Sequence, residues 1–329
     1  MRTYRAEILE IAPLLAADQR AAFVRDVRHG LTSDPKRLHS LYFYDDVGMM
    51  LFQRIMELPE YYLTRAETEI LCAHAGAIAA RFAGHPVVVI DLGAGDATKT
   101  DLILNALRDA GCTVTYIPVD ISRATLEHLV ERFIETHTGI AVRPVAAEYF
   151  DALRTLHTVG DERRLIVFLG SNIGNFSPDR AAEFLVKLRP HVREHDALLV
   201  GFDLQKDPAM ILRAYNDATG VTAEFNFNLL DRINRELGGD FDRRAFRHYA
   251  MYDPLKGVAR SFLVSARAQR VRVADVEETI AFEAGEAIHT EDSWKYSRRN
   301  IRTFASVSGF SIAAEYMDEE KRFVDVVLA

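Results

Sequence analysis

Hydrophobic positions along this chain change rhythm twice. From residue 85 to about 205, short apolar runs alternate with stretches whose apolar residues recur at helical spacing. The runs predict strands at 86–92, 113–119, 141–146, 164–169 and 196–202, and the helical stretches fall at 98–110, 122–137, 148–156 and 178–189. Ser177-Pro178 and Asp207-Pro208 each place a capping oxygen before a proline at the first helical position. Alternation of this kind implies a parallel sheet with right-handed crossovers. Upstream, residues 6–29 show helical spacing, and Asp34-Pro35 and Gly48 mark irregular structure around Tyr42-Phe43-Tyr44. Leu58-Pro59-Glu60-Tyr61-Tyr62 reads as a loop, and Thr64 with Glu67 reads as a capping box opening a helix to about Arg81. Downstream, 208–218 and 222–237 read as helices, 245–282 as mixed with alternating stretches, and 310–316 with 323–328 as a hairpin suited to the sheet's edge. The sheet domain is therefore expected to be interrupted. Residues 63–204 with 287–329 would form it, 1–62 with 205–286 would form a smaller α+β domain, and a ligand is expected between the two.

Composition narrows the class. The chain has 329 residues, 49% of them hydrophobic, which is enough for a large core and one or two domains. Net charge is −8, and Lys and Arg are scattered among acids. A nucleic-acid backbone calls for a basic stripe, so no nucleic-acid partner is expected. Cys72 and Cys112 are far apart and fit a reducing compartment, and the eleven His residues are read as surface or core residues, so no metal is expected. No apolar run approaches a membrane span, and Met1–Glu7 lacks a secretory pattern. The expectation is a cytoplasmic monomer without membrane contact.

The candidate chemistry starts at Val87-Val88-Val89-Ile90-Asp91-Leu92-Gly93-Ala94-Gly95. A strand, a glycine turn and a helix form the nucleotide-binding corner of a doubly wound sheet. Lacking Cβ, Gly93 and Gly95 let the chain turn sharply under a ligand. A dinucleotide fingerprint would need a third glycine where Thr98 stands, and the G-K-[ST] of a P-loop is absent. The D-x-G-x-G form resembles motif I of class I S-adenosyl-L-methionine (SAM)-dependent methyltransferases. In such a sheet the second strand should end in an acid for the ribose hydroxyls, and Asp120 follows the apolar run 114–119. After the fourth strand, Phe168-Leu169-Gly170-Ser171-Asn172-Ile173-Gly174-Asn175-Phe176 stands where a substrate-reading loop belongs, outside the carboxyl ends of the strands.

Taken in order, further segments resemble the histidine Nα-methyltransferases of ergothioneine biosynthesis, within the amino-acid-betaine methyltransferases. They are Phe43-Tyr44-Asp45, Leu58–Tyr62 with Thr64-Arg65, Asp91–Gly95 with Lys99-Thr100, and Phe168–Ser171 with Ile173-Gly174-Asn175. Arg213-Ala214-Tyr215 and Thr290-Glu291-Asp292-Ser293-Trp294-Lys295-Tyr296 complete the series, which spans nearly the whole chain. The resemblance implies an α/β fold: a Rossmann-like class I methyltransferase sheet with a second, smaller α+β substrate domain. It implies SAM as cofactor, bound by Gly93, Gly95, Lys99, Asp120, Glu148 and Tyr149, with Gly93 and Lys99 at its methionyl part, Asp120 at its ribose, and Glu148-Tyr149 beside its adenine, where the family usually carries Asp-Phe. It further implies that Asn175 and Tyr215 hold the substrate's α-amino and α-carboxylate groups near the Gly170 backbone. Tyr61, Glu291 and Ser293 would face its side chain, and Phe52 and Tyr44 would form walls.

Methyl transfer to an amine is an in-line displacement, so orientation is the main tool and can supply up to about 7–11 kcal/mol. Asn175 and Tyr215 can orient the amine without holding it as a cation, and deprotonation is expected through water or Tyr61. Neutral imidazole has one donor and one acceptor, which Glu291 and either Ser293 or Tyr61 could match. The expected activity is conversion of L-histidine to its Nα-trimethyl betaine, hercynine, by successive transfers. Ser261 stands where histidine enzymes often carry Met, which keeps Trp, Tyr or a related amine open as substrate. The readings from other classes are a nicotinamide dehydrogenase and a non-catalytic cofactor-binding protein.

Overall fold

A computed structural model describes residues 8–10, 16–136, 139–156 and 162–329. The chain divides into two compact units, one of residues 1–13, 63–204 and 296–329, the other of 14–62 and 205–295.

The first unit is built on a nine-stranded sheet. Its order is Leu9–Glu10, Val145–Ala146, Val114–Asp120, Val87–Leu92, Arg163–Phe168, Ala197–Asp203, Phe323–Leu328 and Ile312–Met317, with Ala141–Val142 also pairing Val114–Asp120. Strands from Leu9–Glu10 to Ala197–Asp203 run parallel, and Phe323–Leu328 is antiparallel to both of its neighbours. This is the class I methyltransferase arrangement. Strand order reverses beside Val87–Leu92, so its carboxyl end is the topological switch point where ligands bind. The strands are continuous apolar runs because helices cover them; every residue of Ala197–Asp203 is buried. On one face, alternate residues Val87, Val89, Val114, Tyr116, Leu165, Val167, Ala197 and Leu199 pack against Leu71, Ile103, Leu104, Leu107, Leu129 and Phe133 of the helices. Truncating such a residue, Leu104 for instance, costs about 2–5 kcal/mol.

The second unit holds a four-stranded sheet in the order Lys36–Arg37, Ala287–Trp294, Val258–Ser265, Phe246–Asp253, and a two-stranded ribbon of Gln269–Val273 with Glu278–Phe282. Helices Ala16–Thr32, Asp46–Glu57, Pro208–Ala214 and Val221–Leu237 accompany them. Helix Val221–Leu237 is tied to the sheet by Thr290, whose hydroxyl donates to Asn226 Oδ1 at 2.7 Å.

Several expectations need correction. Residues 287–295 belong with the second unit, because Ala287–Trp294 pairs along its length with Val258–Ser265. Leu9–Glu10 belongs with the first, through its pairing with Val145–Ala146. The strand expected at 141–146 is two short strands, broken where Pro144 has no N–H to give the ladder. Around Gly48 the chain is helical: Asp45 caps Asp46–Glu57 by accepting the Gly48 amide at 2.8 Å. Glycine is required there because a Cβ would sit 1.7 Å from the Phe43 carbonyl oxygen. The helix expected at 208–218 ends at Ala214, and the buried Asp217 caps the next helix by accepting the Val221 and Thr222 amides. Helix Arg298–Ser308, opened by a Ser297–Asn300 capping box, was not anticipated from apolar spacing. Of the helices expected at 6–29 and 122–137, residues 6, 7, 11–15 and 137 lie outside the described residues.

Candidate active site

In the first unit, the corner after Val87–Leu92 is set by backbone geometry. Gly93 adopts φ +78°, and a Cβ on it would lie 2.8 Å from Asn172 Nδ2 and 3.0 Å from the Tyr149 hydroxyl. Both the left-handed conformation and the close approach therefore demand glycine. Above Gly95 an added Cβ would meet nothing within 4 Å among the described residues, so the turn opens onto free space. Asp91 is structural: its carboxylate accepts from the Thr100 hydroxyl at 2.7 Å and the Tyr116 hydroxyl at 2.9 Å, fastening the strand end to the following helix and to the neighbouring strand. Burial pushes its pKa up to about 6 against the lowering effect of those two hydroxyls. Asp120, at the tip of the next strand, accepts the Ser122 amide at 2.8 Å and is also bonded by the Gly95 and Ile121 backbone. Burial outweighs these amides and raises it. A glycine turn facing open space beside a strand-end carboxylate fits the ribose end of an adenosyl cofactor.

Lys99, in the first turn of helix Thr98–Asp109, forms an ion pair with Glu67. Glu67 is fully buried, and its two oxygens also accept the Gly170 amide at 2.8 and 2.9 Å. One carboxylate thus holds both the lysine and the loop after the fourth strand. Helix Tyr62–Ala79 begins two residues before Thr64, so the expected capping box does not form and Glu67 is available for this task. Asp325 lies near the pair, fully buried, with neither carboxyl oxygen hydrogen bonded among the described residues. Burial and the Glu67 charge raise its pKa well above the usual carboxylate range.

The same loop carries Asn175, exposed at the end of the 3-10 turn Asn172–Asn175. Ser171 enters the turn at φ 56°. Tyr296 fixes it from below: its buried hydroxyl lies 2.6 Å from the carbonyls of both Ile173 and Phe176 and shares its proton between them. Glu148 is exposed ahead of helix Tyr149–Thr155, and the Tyr149 and Phe168 rings meet in a T-shaped contact at 5.5 Å. Both line a cavity of about 380 Å³ with Phe176, Phe184 and Arg180.

In the second unit, Glu291 and Ser293 are two apart on strand Ala287–Trp294 and so share a face. Ser293 Oγ is 2.7 Å from the hydroxyl of Tyr215, the residue that ends helix Pro208–Ala214. Lys295, 1% exposed, donates to the Tyr215 hydroxyl at 2.6 Å and to Ser293 Oγ at 2.9 Å. Burial raises the Glu291 pKa, opposed by Lys295 and by the Ser261 hydroxyl, which donates to Glu291 at 3.4 Å. Ser261 is thus the cross-strand neighbour of Glu291. Asp292 points to the other face and pairs with Arg260 and His289. Tyr44, Phe52 and Tyr61 form an aromatic group, with Phe52 at 5.7 Å from Tyr44 and 6.2 Å from Tyr61, and Phe225 behind Phe52 at 5.9 Å.

The residues singled out from sequence therefore fall into two sets. Gly93, Gly95, Lys99, Asp120, Glu148, Tyr149, Gly170 and Asn175 gather in the first unit, and Tyr44, Phe52, Tyr61, Tyr215, Glu291 and Ser293 in the second. Glu67, Tyr296 and Lys295 were missed as parts of these sets. Lys295 carried a signal, a cation beside Glu291 and Ser293; Glu67 carried a misleading one. His191 and His195 stand four apart, but a 3-10 helix carries the first and a turn, with φ 74°, the second, instead of one helix. Among the described residues no group of His, Cys, Asp and Glu could hold a metal ion.

Comparison with known proteins identifies the family. A family model described as a histidine-specific, SAM-dependent methyltransferase matches residues 23–329. The chain is 42% identical over 294 residues to the histidine N-alpha-methyltransferase of Mycolicibacterium smegmatis, covering 89% of this chain and 90% of that one. It is 39% identical over 302 residues to the histidine N-alpha-methyltransferase of Mycobacterium tuberculosis, covering 92% and 93%. Ergothioneine biosynthesis protein 1 of Neurospora crassa is 32% identical over 86% of this chain and 32% of its own length. The chain belongs to the histidine-specific, SAM-dependent methyltransferase family, and is a SAM-dependent enzyme.

Proposed function

We propose that this member of the family methylates the α-amino group of L-histidine in successive steps to the trimethylated betaine, hercynine. The reading is carried by one observation: Glu291 and Ser293 share a strand face, with Tyr215 hydrogen bonded to Ser293. A carboxylate beside two hydroxyls offers an acceptor and donors, which is what the two nitrogens of a neutral imidazole need. Indole has one donor and phenyl none, so either would leave a buried group unpaired, at about 1–3 kcal/mol.

In this reading the first unit is the methyltransferase domain and the second the substrate-binding domain. Gly93, Gly95, Lys99 and Asp120 hold the cofactor, and Glu148 and Tyr149 flank its adenine. The cofactor, when bound, supplies a methyl group on a sulfonium. Asn175 and Tyr215 hold the α-amino and α-carboxylate groups, the Gly170 backbone lies beside them, and Tyr44, Phe52 and Tyr61 wall the site. Asn175 accepts from the amine without stabilising it as a cation, which leaves its lone pair available once the ammonium has lost its proton to water or Tyr61. Aromatic faces suit the quaternary ammonium that results.

The test is incubation with SAM and each proteinogenic amino acid in turn, read by mass spectrometry. Histidine gaining three methyl groups is the expected result. Methylation of tryptophan or tyrosine with histidine untouched would overturn the substrate assignment.

A further inference from the structure

Lys295 is a buried cation to which the proposed histidine methylation gives no role, and the inference drawn from it rests on that proposal. It is 1% exposed, follows strand Ala287–Trp294, and has its ammonium over the Tyr215 ring at 4.7 Å as well as on the two hydroxyls. Its backbone is also fixed: the Lys295 amide donates to the Gly257 carbonyl at 2.7 Å, and a Cβ on Gly257 would press on the Lys295 carbonyl oxygen at 2.8 Å. The position is therefore built rather than incidental.

An ammonium has donors and no acceptor. Its N–H groups take a lone pair on Tyr215 Oη and another on Ser293 Oγ. Each hydroxyl oxygen is then committed as an acceptor toward the lysine, and because the two hydroxyls are also 2.7 Å apart, one of their protons serves the bond between them and the other is what the pair can give away. Without the ammonium, the hydroxyl pair could equally turn its lone pairs toward a ligand. We propose that Lys295 is a positioning residue that fixes the hydrogen-bond polarity of the Tyr215–Ser293 pair, making the pair act as a donor toward the amino-acid substrate. The unprotonated ring nitrogen of histidine is the acceptor that answers this proton, while Glu291 takes the ring N–H. Lys295 thereby helps determine specificity without touching the substrate: it sets the donor side of the pocket and Glu291 sets the acceptor side.

The test uses the full chain with Lys295→Met, Lys295→Gln, the pair Tyr215→Phe/Ser293→Ala, and the triple variant adding Lys295→Met. For each, KM and kcat are measured with histidine, and S-adenosylhomocysteine affinity is titrated as a control on folding. Lys295→Met is expected to raise the histidine KM about tenfold or more, with kcat moved less and S-adenosylhomocysteine affinity unchanged. Lys295→Gln, which keeps an N–H donor, recovers part of that loss. In the Tyr215→Phe/Ser293→Ala background the added Lys295→Met changes KM by less than about twofold, because the hydroxyls it acts through are gone. A histidine KM unchanged in a cofactor-binding Lys295→Met protein overturns the proposal, as does a full KM effect in the triple variant. Should Lys295→Met not fold, the same cycle run with Lys295→Gln separates the same two outcomes. Wild-type enzyme that turns over another amino acid instead of histidine overturns the histidine assignment only, and the cycle is then measured with that amino acid.

Discussion

The two units place their functional groups by different means. In the first, backbone does most of the work: a strand end, the left-handed Gly93 and a turn open above Gly95 define the ligand corner before any side chain is considered. In the second, side chains do it: Ser293, Tyr215 and Lys295 come from two separate stretches of chain and meet through hydrogen bonds, with Glu291 on the same strand face as Ser293. A corner made of backbone tolerates little change in residue size. A cluster made of side chains can be retuned for a new ligand one residue at a time, and substrate choice within such a family is expected to vary there.

Gly93→Val tests this contrast with the largest expected effect. A β-branched residue at φ +78°, pressed against Asn172 and Tyr149, should cost about 3–5 kcal/mol. Isothermal titration should show S-adenosylhomocysteine affinity falling by roughly tenfold or more.

Stability against pH should separate the units next. Asp91, in the first, has its pKa raised from 3.8 to about 6, so the folded chain holds a proton that the unfolded chain releases. The stability this gives is complete below pH 3.8 and is lost as pH rises toward 6. His248, in the second, is lowered by burial from 6.5 to about 4, so the unfolded chain holds the extra proton and stability rises with pH across that window. Each contributes up to about 3 kcal/mol, in opposite senses. Asp91→Asn should leave a denaturation midpoint that climbs from about pH 4 to about pH 6, and His248→Gln one that falls; identical profiles would remove the distinction.

Glu291→Ala should do the reverse of the glycine change. The loss in kcat/KM for histidine should be about 1–3 kcal/mol, with S-adenosylhomocysteine affinity intact. The mildest change is Glu67→Gln. The amide oxygen still accepts from Gly170, but Lys99 loses its counter-charge, so cofactor affinity should weaken by about 1–2 kcal/mol while the loop keeps its place.

The same contrast explains what could be read from sequence. The corner was legible because its parts are contiguous: apolar run, Asp91, two glycines and a helix within a few residues. Asp120 was legible because the strand before it ends in the expected place. Glu291, Ser293 and Tyr215 became readable only through family resemblance, since nothing local to residues 291–293 says that Tyr215 folds back onto them. Glu67 was hidden by a local rule: Thr64-x-x-Glu67 has capping-box spacing, yet the helix starts earlier and the acid serves a buried lysine and amide. Helix Asp46–Glu57 was hidden because Gly48 reads as a breaker, whereas tight packing on the Phe43 carbonyl requires it.

Tyr296 has a consequence for how the enzyme comes into being. Its hydroxyl pins the turn bearing Asn175 from 120 residues further along the chain. A ribosome working at some 5–20 residues per second will have exposed that turn for seconds before its anchor emerges. A half-made chain can have its glycine corner and still lack a settled Asn175, so the capacity to bind the nucleoside should mature before the capacity to use it.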